Sequence, residues 1–162
     1  MDTHQFKEAM ARVTGPVAIV TANDHGVPHG TTVSSLASLS LAPAMITIAL
    51  DNASVLLGVV RRTGSFGVNV LSAEQHETAT RFAGRRDDRF ADTAWEFADG
   101  LPYLPASCAW LHCQVAAEVP GGDHTLILGE VRDCTTSENT PLIYSHRAFG
   151  IRAALSPVAK AS

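Results

Sequence analysis

The chain has 162 residues, 46% of them hydrophobic and 17% charged, a balance that supports a buried core and argues against disorder. Its formal net charge of -4 leaves no basic footprint for a nucleic-acid partner. No apolar run approaches the ~20 residues that a membrane helix needs. The three cysteines, Cys108, Cys113 and Cys134, are an odd number with no CxxC pair. They read as reduced thiols rather than a disulfide framework or a metal site. The opening MDTHQFKEAM lacks the basic and apolar regions of a secretory signal, so the expected compartment is the cytoplasm.

In chain order, Thr3 is placed to cap a first helix whose Phe6, Met10 and Val13 form one apolar stripe, and Gly15-Pro16 stops it. Residues 17–22 (VAIVTA) read as a buried strand, Asn23 to Gly26 as a turn, and Val27 as the start of a returning strand. MITIAL (45–50) is a further strand. Asn52 or Ser54 is placed to cap a short helix with Val55, Leu56 and Val59 inward and Arg61-Arg62 at its negative end. FGVNVL (66–71) reads as a strand, and Ser72 to Gln75 matches a capping box that starts a helix running to about Phe82. Arg85 to Ala91 is expected to be a charged, mobile loop, and Trp95 and Phe97 to fix the loop before Gly100-Leu101-Pro102 by packing. Residues 106–119 and 124–131 form two strands around the turn Pro120-Gly121-Gly122-Asp123. Short strands, turn signals and few helices predict a mainly β barrel rather than a doubly wound sheet. One domain is expected, with its core over 6–152 and a flexible tail over 153–162.

Several chemistries find no support. No G-x-G-x-x-G or G-x-x-x-x-G-K-[ST] is present, Ser65 has the wrong spacing for a nucleophile elbow, and Gly26 and Pro28 break any helix through His25 and His29. Most of the histidines read as solvated or structural. Any reaction is therefore expected to be carried by a cofactor. The least ordinary stretch runs from Gly30 to Ser40, in which seven of eleven residues are Gly, Ser or Thr. It reads either as a hydroxyl-rich edge strand and loop or as a cradle where a flat ligand approaches the backbone and hydroxyls meet its polar rim.

Four ordered blocks, FKEAMARVTGPVAIVTA, GVPHGTTVSSLASLSLAPA, FGVNVLSAEQHETATRFAG and GDHTLILGEV, together resemble the flavin reductase family, the small reductase components of two-component flavin-dependent monooxygenases. The resemblance runs from about Phe6 to Gly150. It implies an FMN-binding split β-barrel with a few short helices, dimerising with itself, with FMN or FAD near the dimer interface and NADH or NADPH as reductant. Carried over by position, Thr31, Thr32, Val33, Ser34 and Ser35 line the isoalloxazine and ribityl edge. Ser38, Leu39 and Ser40 complete the ribityl and phosphate environment with Ala49, Leu50, Asp51 and Ser54, the last at a helix start suited to an anion. Arg81, Ala83 and Gly84 of the RFAG block, and Arg89 beyond it, are placed near the phosphate or adenylate, although an ordinary solvated face is the alternative for Arg81 and Arg89. His124 matches the histidine beside the nicotinamide and is the candidate catalytic residue. Phe149, with Tyr144 and Arg147 behind it, matches C-terminal positions near the flavin, though Phe149 reads equally well as core. Where the family carries two prolines this chain has Ala42-Pro43-Ala44, which is expected to loosen that turn. The function implied is reduction of flavin by NAD(P)H and supply of reduced flavin, by diffusion, to a partner monooxygenase. The alternatives are a split-barrel flavoprotein that retains FMN as a prosthetic group, or a non-catalytic flavin-binding or redox module.

Overall fold

The computed structural model of the chain describes residues 2–84 and 88–152. The elements are α1 (Thr3–Met10), β1 (Gly15–Pro16), β2 (Ala18–Asp24), β3 (Val27–Val33), β4 (Ala37–Leu41), β5 (Ala44–Asp51), α2 (Val55–Thr63) and β6 (Ser65–Val70). A 3-10 turn (Ala73–Gln75) then leads into α3 (His76–Ala83). β7 (Glu96–Ala98), β8 (Leu101–Tyr103), β9 (Ala109–Gly121), β10 (His124–Thr136), β11 (Leu142–Ser145) and β12 (Ala148–Ile151) complete the described chain.

Turn chemistry sets the hairpins. Asn23 Oδ1 accepts from Gly26 N–H at 2.7 Å, and His25 and Gly26 take positive φ, so β2 folds directly back onto β3. Gly122, at φ 69°, turns β9 into β10 in the same way. These hairpins are joined by pairings between strands distant in sequence, giving a seven-stranded antiparallel sheet in the order β3-β2-β6-β9-β10-β5-β4. The sheet curls until the chain leaving its β3 edge reaches β5: Ser35 Oγ, just past β3, donates to Ala49 O at 3.2 Å and accepts from Ala49 N–H at 2.9 Å on β5. This is the split-barrel architecture, and the hydroxyl-rich stretch helps to close it.

β2 is buried on both faces, as a strand between β3 and β6 should be. Ala18, Val20 and Ala22 point into the barrel with Ile48, Leu57, Phe66, Val68 and Ile127. Val17 and Ile19 point outward under α3 and meet Leu71, Phe82, Leu104 and Leu142. Gly129 sits at a β-bulge because the Phe66 ring lies over it: a Cβ there would come within 2.5 Å of Phe66 Cζ.

Several local expectations are revised. The N-cap of α1 is Asp2, which accepts from His4 N–H at 2.9 Å, not Thr3. The stripe Phe6, Met10 and Val13 is exposed rather than packed. The helix is tied down by polar contacts instead, with Arg147 Nη2 donating to Glu8 Oε1 at 2.6 Å and Thr14 Oγ1 to Ser145 Oγ at 3.0 Å. Val55 is 70% exposed, whereas Leu56 and Val59 are buried as expected, because residue 55 begins α2 on the side away from the barrel. The capping box at Ser72 and Gln75 is present, but it opens the 3-10 turn before α3. Residues 85–87 and the tail 153–162 lie outside the described residues. Phe90, in the expected mobile loop, is anchored edge-on between Phe82 at 4.9 Å and Trp95 at 5.3 Å, and Trp95 meets Phe97 edge-on at 5.0 Å. No helix among the described residues is long and apolar enough to cross a membrane.

The cysteines are free. Burial, with a smaller contribution from Cys134, pushes the Cys113 thiol up to about 12, so it stays protonated and unreactive. Cys134 is exposed. A thiol-disulfide reagent at mildly alkaline pH is expected to titrate Cys134 quickly and Cys113 only on unfolding. Cys134→Ser should abolish the fast phase, and fast labelling of Cys113 on a mapped peptide would contradict this assignment.

Candidate functional site

A cavity of about 630 Å³ opens between β3, the start of α2 and the end of α3, within the size range of small-molecule sites. Its wall is built locally. β5 ends at Asp51, whose Oδ1 accepts from Ala53 N–H at 2.7 Å and whose carbonyl accepts from Ser54 N–H at 2.9 Å, turning the chain into α2. Ser54 has the extended backbone of an N-cap, yet its side chain makes no capping hydrogen bond. The first N–H groups of α2 therefore keep their donor capacity beside the cleft, whose wall includes Ser54, Val55 and Leu56. An anion is the natural occupant of such a position.

The opposite wall is β3, where Val27, His29 and Thr31 share one face of the strand and line the cleft. Gly30 faces the other way: a Cβ there would lie 3.0 Å from Phe82 Cε1 and 3.2 Å from Phe90 Cζ. Arg89 joins β3 to the end of α3, its Nη1 donating to Gly30 O at 2.6 Å and its Nη2 to Gly84 O at 2.5 Å. Its Nε is buried without a hydrogen-bond partner. The guanidinium thus first serves as a strut between β3 and the end of α3, with its charge left at the cleft wall. Arg81 is turned away, donating to Asp92 O and to Thr93 Oγ1.

Of the residues singled out from sequence, Thr31, Asp51, Ser54, Ala83, Gly84 and Arg89 come together around this cleft. The others do not line it. Thr32 Oγ1 donates to Ala79 O at 2.7 Å, and Thr31 Oγ1 reaches Phe82 O at 3.5 Å, so these hydroxyls join β3 to α3. The hydroxyl of Ser35 is engaged in barrel closure, and that of Ser40 accepts from Ala42 N–H at 3.3 Å. Val33 and Leu50 are core side chains, while Ala49 lies half-buried beside Ser35. Ser34, Ser38 and Leu39 are exposed on or near β4. Phe149, on β12, packs against Tyr144 at 5.4 Å and remains 37% exposed, so it is not core.

His124 opens β10 and pairs across the sheet with Asp51, the cleft residue that ends β5. Its Nδ1 lies 2.7 Å from Asp123 Oδ1. The His124 hydrogen bond and charge hold the Asp123 carboxyl below its ordinary range, and an ionised carboxylate only accepts. Nδ1 therefore carries the ring proton in that bond, leaving Nε2 as the ring's other polar atom.

Sequence reasoning passed over Val27, Pro28, His29, Val55, Leu56 and Phe90 as cleft residues. The period-2 alternation of β3 carried the signal for His29, since it shares a face with Thr31. Nothing local to Phe90 announced its place, which depends on the Phe82 ring of α3.

A mainly β split barrel with an anion-suited cleft at a strand-to-helix turn belongs with flavin-handling proteins of this architecture, and comparison with known proteins agrees. Residues 10–151 match the family described as flavin reductase like domain, and the chain belongs to that family. It is 39% identical over 139 residues to flavin reductase (NADPH) of Lentzea aerocolonigenes, covering 83% of this chain and 81% of that protein. It is 37% identical over 151 residues to actinorhodin polyketide dimerase of Streptomyces coelicolor, covering 91% and 85%. Among solved structures, the styrene monooxygenase flavin reductase from Pseudomonas putida S12 superposes with a TM-score of 0.86 at 29% identity, covering 93% of this chain and 99% of that one.

Proposed function

We propose that this chain is a cytoplasmic NAD(P)H:flavin oxidoreductase that reduces FMN or FAD and releases the reduced flavin to a separate monooxygenase. The observation that carries the reading is the shared wall of cleft and histidine: Asp51 lines the cavity and pairs with His124. The cleft chemistry fits a flavin nucleotide, since backbone donors at the start of α2 suit its phosphate and the β3 wall beside Thr31 offers a strand face along which a flat ring can lie. The hydride chemistry belongs to the nicotinamide and flavin rings themselves. The protein's part is placement. Ser54 to Leu56 hold the phosphate end, Thr31 and the β3 backbone border the ring, and Arg89 fixes β3 against the end of α3. His124, its Nδ1–H held by Asp123, offers Nε2 as the polar atom that meets the nicotinamide carboxamide.

The reading also takes residues 6–152 as one domain and the active form as a homodimer. Exposed apolar side chains support the dimer: Leu39 and Leu41 on β4, Phe149 and Ile151 on β12, and Phe6, Met10 and Val13 on and after α1. A second chain covering them brings Ser34, Ser38, Ser40 and Phe149 to a site shared between the two copies. Sedimentation should give twice the chain mass, and a monomer at assay concentration would remove the shared site.

One relative is named for polyketide dimerisation rather than for flavin reduction, and the second reading is a split-barrel flavoprotein in which FMN stays bound and another acceptor is used. Gel filtration separates the two. Diffusible delivery predicts a colourless protein that turns over added flavin and feeds an oxygenase across a dialysis membrane. Yellow protein with stoichiometric flavin and no such transfer supports the retained cofactor.

A further inference from the structure

Asn52 is bonded to the His124 turn on several sides. Its backbone N–H donates to Asp123 O at 3.0 Å, its Nδ2 donates to Gly122 O at 3.2 Å, and its Oδ1 accepts from Thr125 Oγ1 at 2.8 Å. The turn it grips contains Gly122, at φ 69°, and presents the Asp123–His124 pair. On its other side Asn52 directly follows Asp51, which lines the cleft and is the register partner of His124. A second tie reaches the same threonine, with Arg61 Nη2 at 3.3 Å from Thr125 Oγ1 while Arg61 Nε and Nη2 hold Glu118 Oε2 at 2.9 and 2.8 Å.

We propose that Asn52 is a positioning residue, clamping the Gly122–Thr125 turn to the cleft wall and so fixing where the His124 ring stands relative to a bound dinucleotide. The proposal rests on the role given to His124 above. A strand pairing alone sets the register of residue 124 but leaves the preceding turn free to tilt, and Nδ2 and Oδ1 of Asn52 remove that freedom from both flanks of His124. Small displacements of an orienting group weaken catalysis steeply. The side chain offers a donor and an acceptor on separate atoms, one toward Gly122 and one toward Thr125, which an ionised Asp, the single short hydroxyl of Ser or the methyl of Ala does not.

The test is a double-mutant cycle on the full chain with His124→Ala, following KM for NAD(P)H, KM for flavin, kcat and Tm. Asn52→Ala is expected to raise KM for NAD(P)H about three- to tenfold, the loss of one to two hydrogen bonds' worth of alignment. KM for flavin should move much less. In the His124→Ala background the same substitution should change KM for NAD(P)H by less than about twofold, because the group it positions is gone. Thr125→Val, which removes the Oγ1 bonds to Asn52 and Arg61 but keeps the Asn52 bond to Gly122, should follow the same pattern with a smaller rise, and it carries the test if Asn52→Ala does not fold. Equal KM losses in both backgrounds, or an unchanged KM in Asn52→Ala, overturn the proposal while leaving His124 in place. A silent His124→Ala removes the underlying reading as well, and the single variant reports that separately.

Discussion

His124→Ala is expected to raise KM for NAD(P)H about tenfold, the value of one well-formed hydrogen bond in a site, and to leave KM for flavin within about twofold. The direction follows from placement. The ring sits on the turn opposite Asp51, its Nδ1–H is committed to Asp123 at 2.7 Å, and its Nε2 is the atom with which it can meet the reductant. Because hydride transfer between two rings needs no protein base, the loss should fall on dinucleotide binding and alignment rather than abolish turnover. His124→Asn offers a shorter donor and acceptor and should recover part of the loss. Unchanged KM and kcat in His124→Ala would take this residue out of the reaction.

Phe82→Ala is expected to cost about 3–5 kcal/mol of stability, the usual range for deleting a fully buried aromatic ring. Phe82 is 0% exposed and joins Val17, Ile19, Leu71 and Leu104 beneath α3. It also supports the cleft, because Phe90 leans on it edge-on at 4.9 Å and Phe90 is itself a cleft wall. The variant should therefore lose flavin affinity as well as denaturant resistance, with both deficits reduced by Phe82→Leu, which refills most of the space. A denaturant midpoint near that of the unaltered protein would contradict this account of the second core. Normal flavin affinity in a destabilised variant would separate Phe90 from the site.

Much of the strand content was legible because turns announce themselves: Asn23 to Gly26 and Pro120 to Asp123 carry residues that accept positive φ or local side-chain bonds. The capping box at Ser72 was equally local. Sheet order was not legible, since nothing in the period of β6 says that it lies between β2 and β9; that choice is made by packing around Phe66 and Gly129. The hydroxyl-rich stretch shows the limit most clearly. Composition left Gly30 to Ser40 open between an edge strand and a ligand cradle, the family resemblance favoured the cradle, and Thr31 does line the cleft. The hydroxyls of Thr32 and Ser35, however, satisfy carbonyls of α3 and β5, a use that becomes visible only when those elements are in place. Arg89 was likewise legible as a charge near the site but not as a strut, because its acceptors at Gly30 and Gly84 are brought together by the fold. Val55 and the stripe of α1 were misjudged because helical periodicity finds an apolar face without saying whether this chain covers it.

The central claim is that this chain reduces flavin with NAD(P)H. Its most direct test follows NAD(P)H absorbance with purified protein and each pairing of FMN or FAD with NADH or NADPH, alongside His124→Ala as a control. The account predicts turnover with at least one pairing, saturable in both substrates, and a raised KM for the dinucleotide in the variant. No turnover with any pairing, from protein shown to be folded and dimeric, would contradict it.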